Sequence, residues 1–127
     1  MNPDPKHIAL AYIDACGRKD LDTVATLLAP DVHFVGPGNE LTGAPAYLAV
    51  LRRLGPVWER SDVKQVFVDG SGVCVIYDFV TTAAGPVPIV EWLQVEGGRV
   101  QDVRLFFDRA TFKPAVDELA RLAAING

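Results

Sequence analysis

The residues of this 127-residue chain with types and settings suited to chemistry fall in three places. Tyr12 lies in an apolar helical stripe. A phenol there either donates a hydrogen bond to a carbonyl or developing oxyanion, or is a core tyrosine satisfied locally. Glu40 ends the segment Gly36-Pro37-Gly38-Asn39-Glu40, which reads as a loop. A loop at a pocket mouth can present a carboxylate as a proton acceptor, and a solvated loop carboxylate is the plainer reading. Asp78, Glu91 and Arg104 lie on successive strand-like stretches that would set the arginine beside an acid. That arrangement is either a catalytic ion pair or a polar stitch in a subunit contact, and the second is preferred. The two histidines, His7 and His33, fall on early exposed elements and suggest no Ser/His/Asp relay. Cys16 and Cys74 form no CxxC and read as small apolar residues rather than a disulfide. No metal-ligand cluster and no GxGxxG occurs, so neither metal nor cofactor is expected.

The elements that must position these groups centre on 73–108. Three β-rich runs, Val73–Thr82, Val87–Glu96 and Val100–Asp108, are separated by turn residues and predict an antiparallel meander. Alternation is expected to put Val73, Val75, Tyr77, Phe79, Val90, Trp92, Val103, Leu105 and Phe107 on one covered face. With Phe34, Gly36, Leu54 and Trp58, all of these but Val73 form the predicted pocket lining. The opposite face would carry Ile76, Asp78, Ile89, Glu91, Leu93, Arg104 and Phe106. Its mix of apolar, aromatic and charged groups suits a homodimer interface.

Before the meander, Asp4-Pro5 starts a helix whose stripe includes Ile8, Tyr12 and Cys16, and Gly17 ends it. Asp20 caps a short helix over 21–28, a strand covers 31–35, and Thr42 is expected to cap a helix over 45–54. A long strand follows over 57–69. After Asp108, a helix cap, the period changes to that of a last helix bearing Phe112, Val116, Leu119 and Leu122. One domain over 1–127 is expected, with helices segregated from an antiparallel sheet, hence α+β.

Half of the residues are hydrophobic and the mean hydropathy is +0.20, enough for a core with apolar surface left for a pocket. The net charge of -4 argues against a nucleic-acid partner. No apolar run is long enough to span a membrane, and Met1–Pro5 lacks a signal-peptide layout, so a cytoplasmic location is expected.

The pattern resembles the nuclear transport factor 2-like, or SnoaL-like, superfamily of α+β cones. The residues that carry the likeness are Ala11-Tyr12-Ile13-Asp14-Ala15, Lys19-Asp20-Leu21-Asp22, Leu28-Ala29-Pro30-Asp31-Val32, Leu41-Thr42-Gly43, Gly98-Arg99-Val100 and Arg104-Leu105-Phe106-Phe107-Asp108. The resemblance implies a cone-shaped barrel of strongly curved antiparallel sheet around the N-terminal helices. It implies that Tyr12 stands where the ketosteroid isomerase branch has its oxyanion-binding tyrosine. That branch's carboxylate base falls on Gly36, before Pro37, and its protonated acid aligns with Val90. The water-activating Arg–Asp–Asp set of the epoxide hydrolase branch falls on Asp78, Val80 and Leu105.

Three functions follow as expectations. The chain binds a small lipophilic molecule in an apolar pocket. Alternatively, it is a cofactor-independent isomerase, cyclase or hydratase acting on a lipophilic carbonyl compound, with Tyr12 as donor and Glu40 or water moving the proton. The third is a structural dimer module whose cavity is plugged by Phe34, Phe79, Trp92 and Phe107.

Overall fold

The computed structural model describes residues 4–126; the parts of the expected chain ends at Met1, Asn2, Pro3 and Gly127 lie outside them. The first helix, α1 (Pro5–Gly17), starts where the Asp4 carboxylate accepts from the Lys6 N–H, and it buries Ile8, Ala9, Tyr12, Ile13, Ala15 and Cys16. Asp20 caps α2 (Leu21–Leu27) through the Thr23 N–H. The first strand is longer than expected: β1 runs Leu28–Gly36. The 36–40 segment is not all loop. A tight turn leads into a short strand, β2 (Asn39–Thr42), paired antiparallel with β1. Thr42 therefore belongs to a strand and caps nothing. The N-cap of α3 (Ala44–Leu54) is Gly43, whose φ of 99° turns the chain from strand to helix in a way that side chains resist.

A 3₁₀ turn (Gly55–Val57) leads to β3 (Trp58–Asp69), β4 (Gly72–Thr81), β5 (Gly85–Glu96) and β6 (Arg99–Phe106), and α4 (Arg109–Asn126) closes the chain. Asp108 caps α4, accepting from the Ala110 N–H and the Thr111 hydroxyl. The architecture is α+β, with a strongly curved six-stranded sheet in the order β2-β1-β6-β5-β4-β3. Two expectations need correction. The sheet does not close into a barrel, because β2 and β3 remain edges, and it is mixed, because β1 runs parallel to β6.

Pairing within the meander fixes what faces what. Thr81 pairs with Gly85 across a loop of 82–84, so odd residues oppose odd residues: Val73 with Leu93, Val75 with Glu91, Tyr77 with Ile89, and Phe79 with Val87. The faces of β4 and β6 are as expected, and those of β5 are the reverse. Val90 and Trp92, expected in the pocket, are 36% and 50% exposed on the outer face. Ile89, Glu91 and Leu93, expected at an interface, are buried within the fold. Both faces of β5 are apolar enough to be a core, and the carboxylate of Glu91 made its own face look like the outer one. Loop length overrides that hint, because a register shift of one residue moves every side chain of a strand to the other face. Pro86 and Pro88 fit this central strand because β6 pairs only from Val90 onward, so β5 is an open edge at their positions.

The core lies between the inner sheet face and α1–α3. Leu93, Val73, Val75, Val87 and Val103 are fully enclosed there. Truncating Leu93 to Ala should cost roughly 2–5 kcal/mol. The expected loss, measured by urea denaturation, is independent of protein concentration because Leu93 packs within the protomer. A loss under about 1 kcal/mol would place Leu93 outside the core.

Candidate functional site

Three tyrosines and one glutamate from four elements meet under α1. Helical spacing turns Tyr12 of α1 and Tyr47 of α3 inward, and the β4–β5 register sets Tyr77 and Glu91 side by side on the inner sheet face. The Tyr77 hydroxyl donates to Glu91 Oε1 at 2.7 Å, and the Tyr12 and Tyr47 hydroxyls bond to each other. Glu91 is 2% exposed, and its Oε2 has no hydrogen-bond partner among the described residues. These groups border a small chamber of about 50 Å³, whose walls are completed by apolar side chains with Ser61 and Cys16. A chamber of that size holds one or two heavy atoms.

Burial pushes the Glu91 carboxyl up from 4.5 to about 7, and the Tyr77 and Tyr12 phenols restrain the rise by favouring its anion. The phenols of Tyr12, Tyr47 and Tyr77 are raised well above their usual value, first by burial and then by the Glu91 charge. Cys16 is raised for the same two reasons, so it remains a thiol. Near neutrality the site therefore holds three protonated donors and one carboxyl divided between acid and base. The Tyr12–Tyr47 pair uses one of its two phenolic protons internally, which leaves one O–H to donate elsewhere.

Outward from this chamber lies a larger cavity of about 530 Å³. The two share Phe34, Val50, Leu54, Phe79 and Leu105 as walls. Of the residues expected to line a pocket, Phe34, Gly36, Leu54, Phe79, Leu105 and Phe107 border the larger cavity, and Trp58 and Tyr77 border the inner chamber. Val75 and Val103 are enclosed core residues on neither wall. Val90 and Trp92 face away, as the register requires. The cavity is not plugged: Phe34, Phe79 and Phe107 form its walls, and Trp92 has no part in it.

Glu40, expected as a displaced base, lies apart from the inner chamber. It sits on β2, exposed, with Oε2 2.7 Å from His33 Nε2, and it borders neither cavity. His33 Nδ1 lies 3.5 Å from Asp102 on β6, so this cluster ties three strands together. Asp78 pairs with Lys64 at 3.8 Å rather than with Arg104. Sequence reasoning weighed Glu91 as part of an ion pair but set it on the outer face, and it passed over Tyr47 and Arg109. The strand ends read from the sequence, Thr82 and Val87, align odd with even; the observed three-residue loop between Thr81 and Gly85 aligns odd with odd and turns Glu91 inward. Tyr47 lay in plain view on the apolar stripe of its helix. Nothing in the sequence marks Arg109 as a cavity residue, since its place depends on how α4 returns to the mouth.

The frame is an open, curved α+β sheet wrapped on helices, with a chamber bordered by phenols and a carboxyl at the end of an apolar cavity. Within it, residues 9–103 match the model described as a SnoaL-like domain, and the chain belongs to that family. A protein from Kribbella flavida superposes with a TM-score of 0.80 at 30% identity, covering 95% of this chain and 96% of that one. An NTF2-like protein of unknown function from Cytophaga hutchinsonii gives 0.76 at 20% identity over 88% and 97% of the two chains. An LEH-like epoxide hydrolase of M. tuberculosis gives 0.73 at 21% identity over 93% of both. The last two likenesses show the fold alone. No curated protein matches the chain. Among the described residues, no helix is long and apolar enough to cross a membrane.

A pH dependence of stability follows from Glu91. Its folded-state value is raised above 4.5 to about 7, so its contribution is fully present below 4.5 and is lost as pH rises through 7. The loss across that window is roughly 3 kcal/mol. Melting curves of the native chain and of Glu91→Gln, taken from pH 4.5 to pH 7, should converge or cross as the native chain alone loses this amount. Parallel curves would mean that Glu91 titrates as an exposed carboxylate.

Proposed function

We propose that this SnoaL-like chain binds a small lipophilic carbonyl compound and acts on it as a cofactor-independent acid–base catalyst. The observation that carries the reading is Glu91: a buried carboxyl poised near neutrality, with one oxygen unpartnered, in a chamber open to phenolic donors. The resemblance to the isomerase branch puts a protonated acid on this strand, at Val90 beside Glu91, and its base at Gly36; with Gly36 offering no carboxylate, this reading gives the base's part to Glu91. The ligand's apolar body would occupy the larger cavity and its carbonyl oxygen the inner chamber. The free O–H of the Tyr12–Tyr47 pair would donate to that oxygen as negative charge develops there. Glu91, as carboxylate, would take a proton from the carbon beside the carbonyl and return it at another position. The proton balance closes without redox chemistry, and both halves of the exchange suit a group near pH 7.

The test uses β-tetralone, an apolar cyclic ketone, with NMR following deuterium uptake beside its carbonyl. The native chain should accelerate exchange, with a rate that rises through about pH 7 as Glu91 ionises and then levels. Glu91→Gln should lose about 100-fold or more and Tyr12→Phe about 10-fold or more. Binding of β-tetralone with no acceleration would sink the catalytic reading and leave the chain as a lipophilic-molecule binding module, the second reading, which rests on the apolar walls alone.

The outer sheet face supports a homodimer. Two cross-strand rows, Phe67–Cys74–Trp92–Arg104 and Gln65–Ile76–Val90–Phe106, cover its centre, with Phe67, Trp92 and Phe106 each at least half exposed. The contact thus keeps Ile76, Asp78, Arg104 and Phe106 from the sequence expectation and exchanges Ile89, Glu91 and Leu93 for Val90 and Trp92. Sizing at micromolar concentration should give twice 13.7 kDa, and Trp92→Glu should return the mass to 13.7 kDa. A native chain that elutes at 13.7 kDa rules the dimer out. The free thiols of Cys16 and Cys74 fit the reducing cytoplasm, where this reading places the protein.

A further inference from the structure

The larger cavity has an uneven rim. Among the described residues, its lining is apolar except for Asn39, Arg109 and Lys113, and it includes no carboxylate. This is notable in a chain with 16 acidic and 12 basic residues, where chance favours an acidic rim. The two cations are not equivalent. Lys113 is engaged by Asp117 at 2.8 Å, one helical turn on. Arg109 has no acidic partner among the described residues. The nearest acid along the chain, Asp108, is taken up by the cap of α4.

The Arg109 side chain has a defined seat. Its guanidinium rests on the bare face of Gly38 in the β1–β2 turn, where a Cβ would lie 3.3 Å from Nη1 and 3.4 Å from Cζ. Gly38 has a φ of 74°, so the turn itself favours glycine there. Pro37 and Asn39 of the same turn border the cavity as well. The guanidinium is therefore laid across one side of the mouth. Opposite it in depth lies the phenol–carboxyl chamber, and between the two runs a wall of Phe34, Leu54, Phe79, Leu105 and Phe107.

We propose that the ligand of this cavity is an amphipathic anion, whose carboxylate or similar group is held by Arg109 at the mouth while its neutral polar end reaches the inner chamber. The inference rests on the reading of the cavity as a ligand site and adds a charge and a direction to what that site accepts. Planar, forked donors suit a carboxylate or sulfonate, and a site on the rim lets the charge stay partly hydrated as the apolar body is buried. Arg109 sets specificity and orientation here and takes no part in proton transfer.

The test compares two fluorescent probes with the same apolar rings: anilinonaphthalene sulfonate, an anion, and N-phenylnaphthylamine, which is neutral. Both should brighten on binding to the native chain, and Val50→Trp, which fills a wall shared by both chambers, should weaken both. Arg109→Gln should weaken the anionic probe about fivefold and leave the neutral one unchanged, with Arg109→Lys in between. Added salt should weaken the anion alone. If both probes bind and yield to Val50→Trp but Arg109→Gln changes neither, or weakens both alike, the anion preference is wrong and the cavity reading stands. If neither probe binds the native chain, or Val50→Trp displaces neither, the cavity reading falls and takes this one with it.

Discussion

The structure turns on the burial of one carboxyl group. Taking Glu91 out of water disfavours its anion, and the fold answers with one hydrogen bond from Tyr77 and the nearby phenol of Tyr12 rather than with a counter-charge. Among the described residues, no lysine or arginine borders the inner chamber. Had one been there, the pair would have fixed the carboxylate as an anion. With phenols alone, the group is left near pH 7, able to hold or release a proton. The surrounding elements can be read as support for this compromise: α1 and α3 each bring one tyrosine, and β4 brings the third.

Two surfaces of different character share one sheet. The inner face carries the tyrosine–glutamate chamber and the core that holds it rigid. The outer face carries Trp92, Val90, Phe106 and Phe67 in the open. Strand alternation makes this economical, because each central strand serves both. The cost is that the two are not independent. Glu91 is flanked in sequence by Val90 and Trp92, so the backbone that aims the carboxyl inward also aims those apolar groups at whatever covers the outer face.

Much of the fold was legible because it rests on periodicity. The helical stripe of Ile8, Tyr12 and Cys16, the capping acids Asp4, Asp20 and Asp108, and the β-branched runs of the meander are local signals, and local physics decides them. What was not legible depends on pairing between distant segments. The strand β2 is only four residues long and follows a Gly-Pro-Gly run, so its existence depends on β1 lying beside it. The parallel β1–β6 contact leaves no trace in composition. The face of β5 was misread because the strand ends were placed at Thr82 and Val87, and the expectation that acids lie outside agreed with that alignment. Glu40 looked like a base because it sat in a loop next to the vacant Gly36, but His33 was already in reach.

The loop of 82–84 holds a further meaning for how this lineage can vary. Adding or deleting one residue there would rotate β5 by half a turn about its axis and exchange its two populations of side chains. Trp92 or Val90 would enter the polar chamber, and the ionisable group would emerge onto the sheet's exterior. Inner chamber and exterior patch would be lost in a single event, whereas a change of two residues would spare both. Homologues that keep the site should therefore differ in this hairpin by even numbers of residues, a parity rule in insertions and deletions that substitution patterns alone would not reveal.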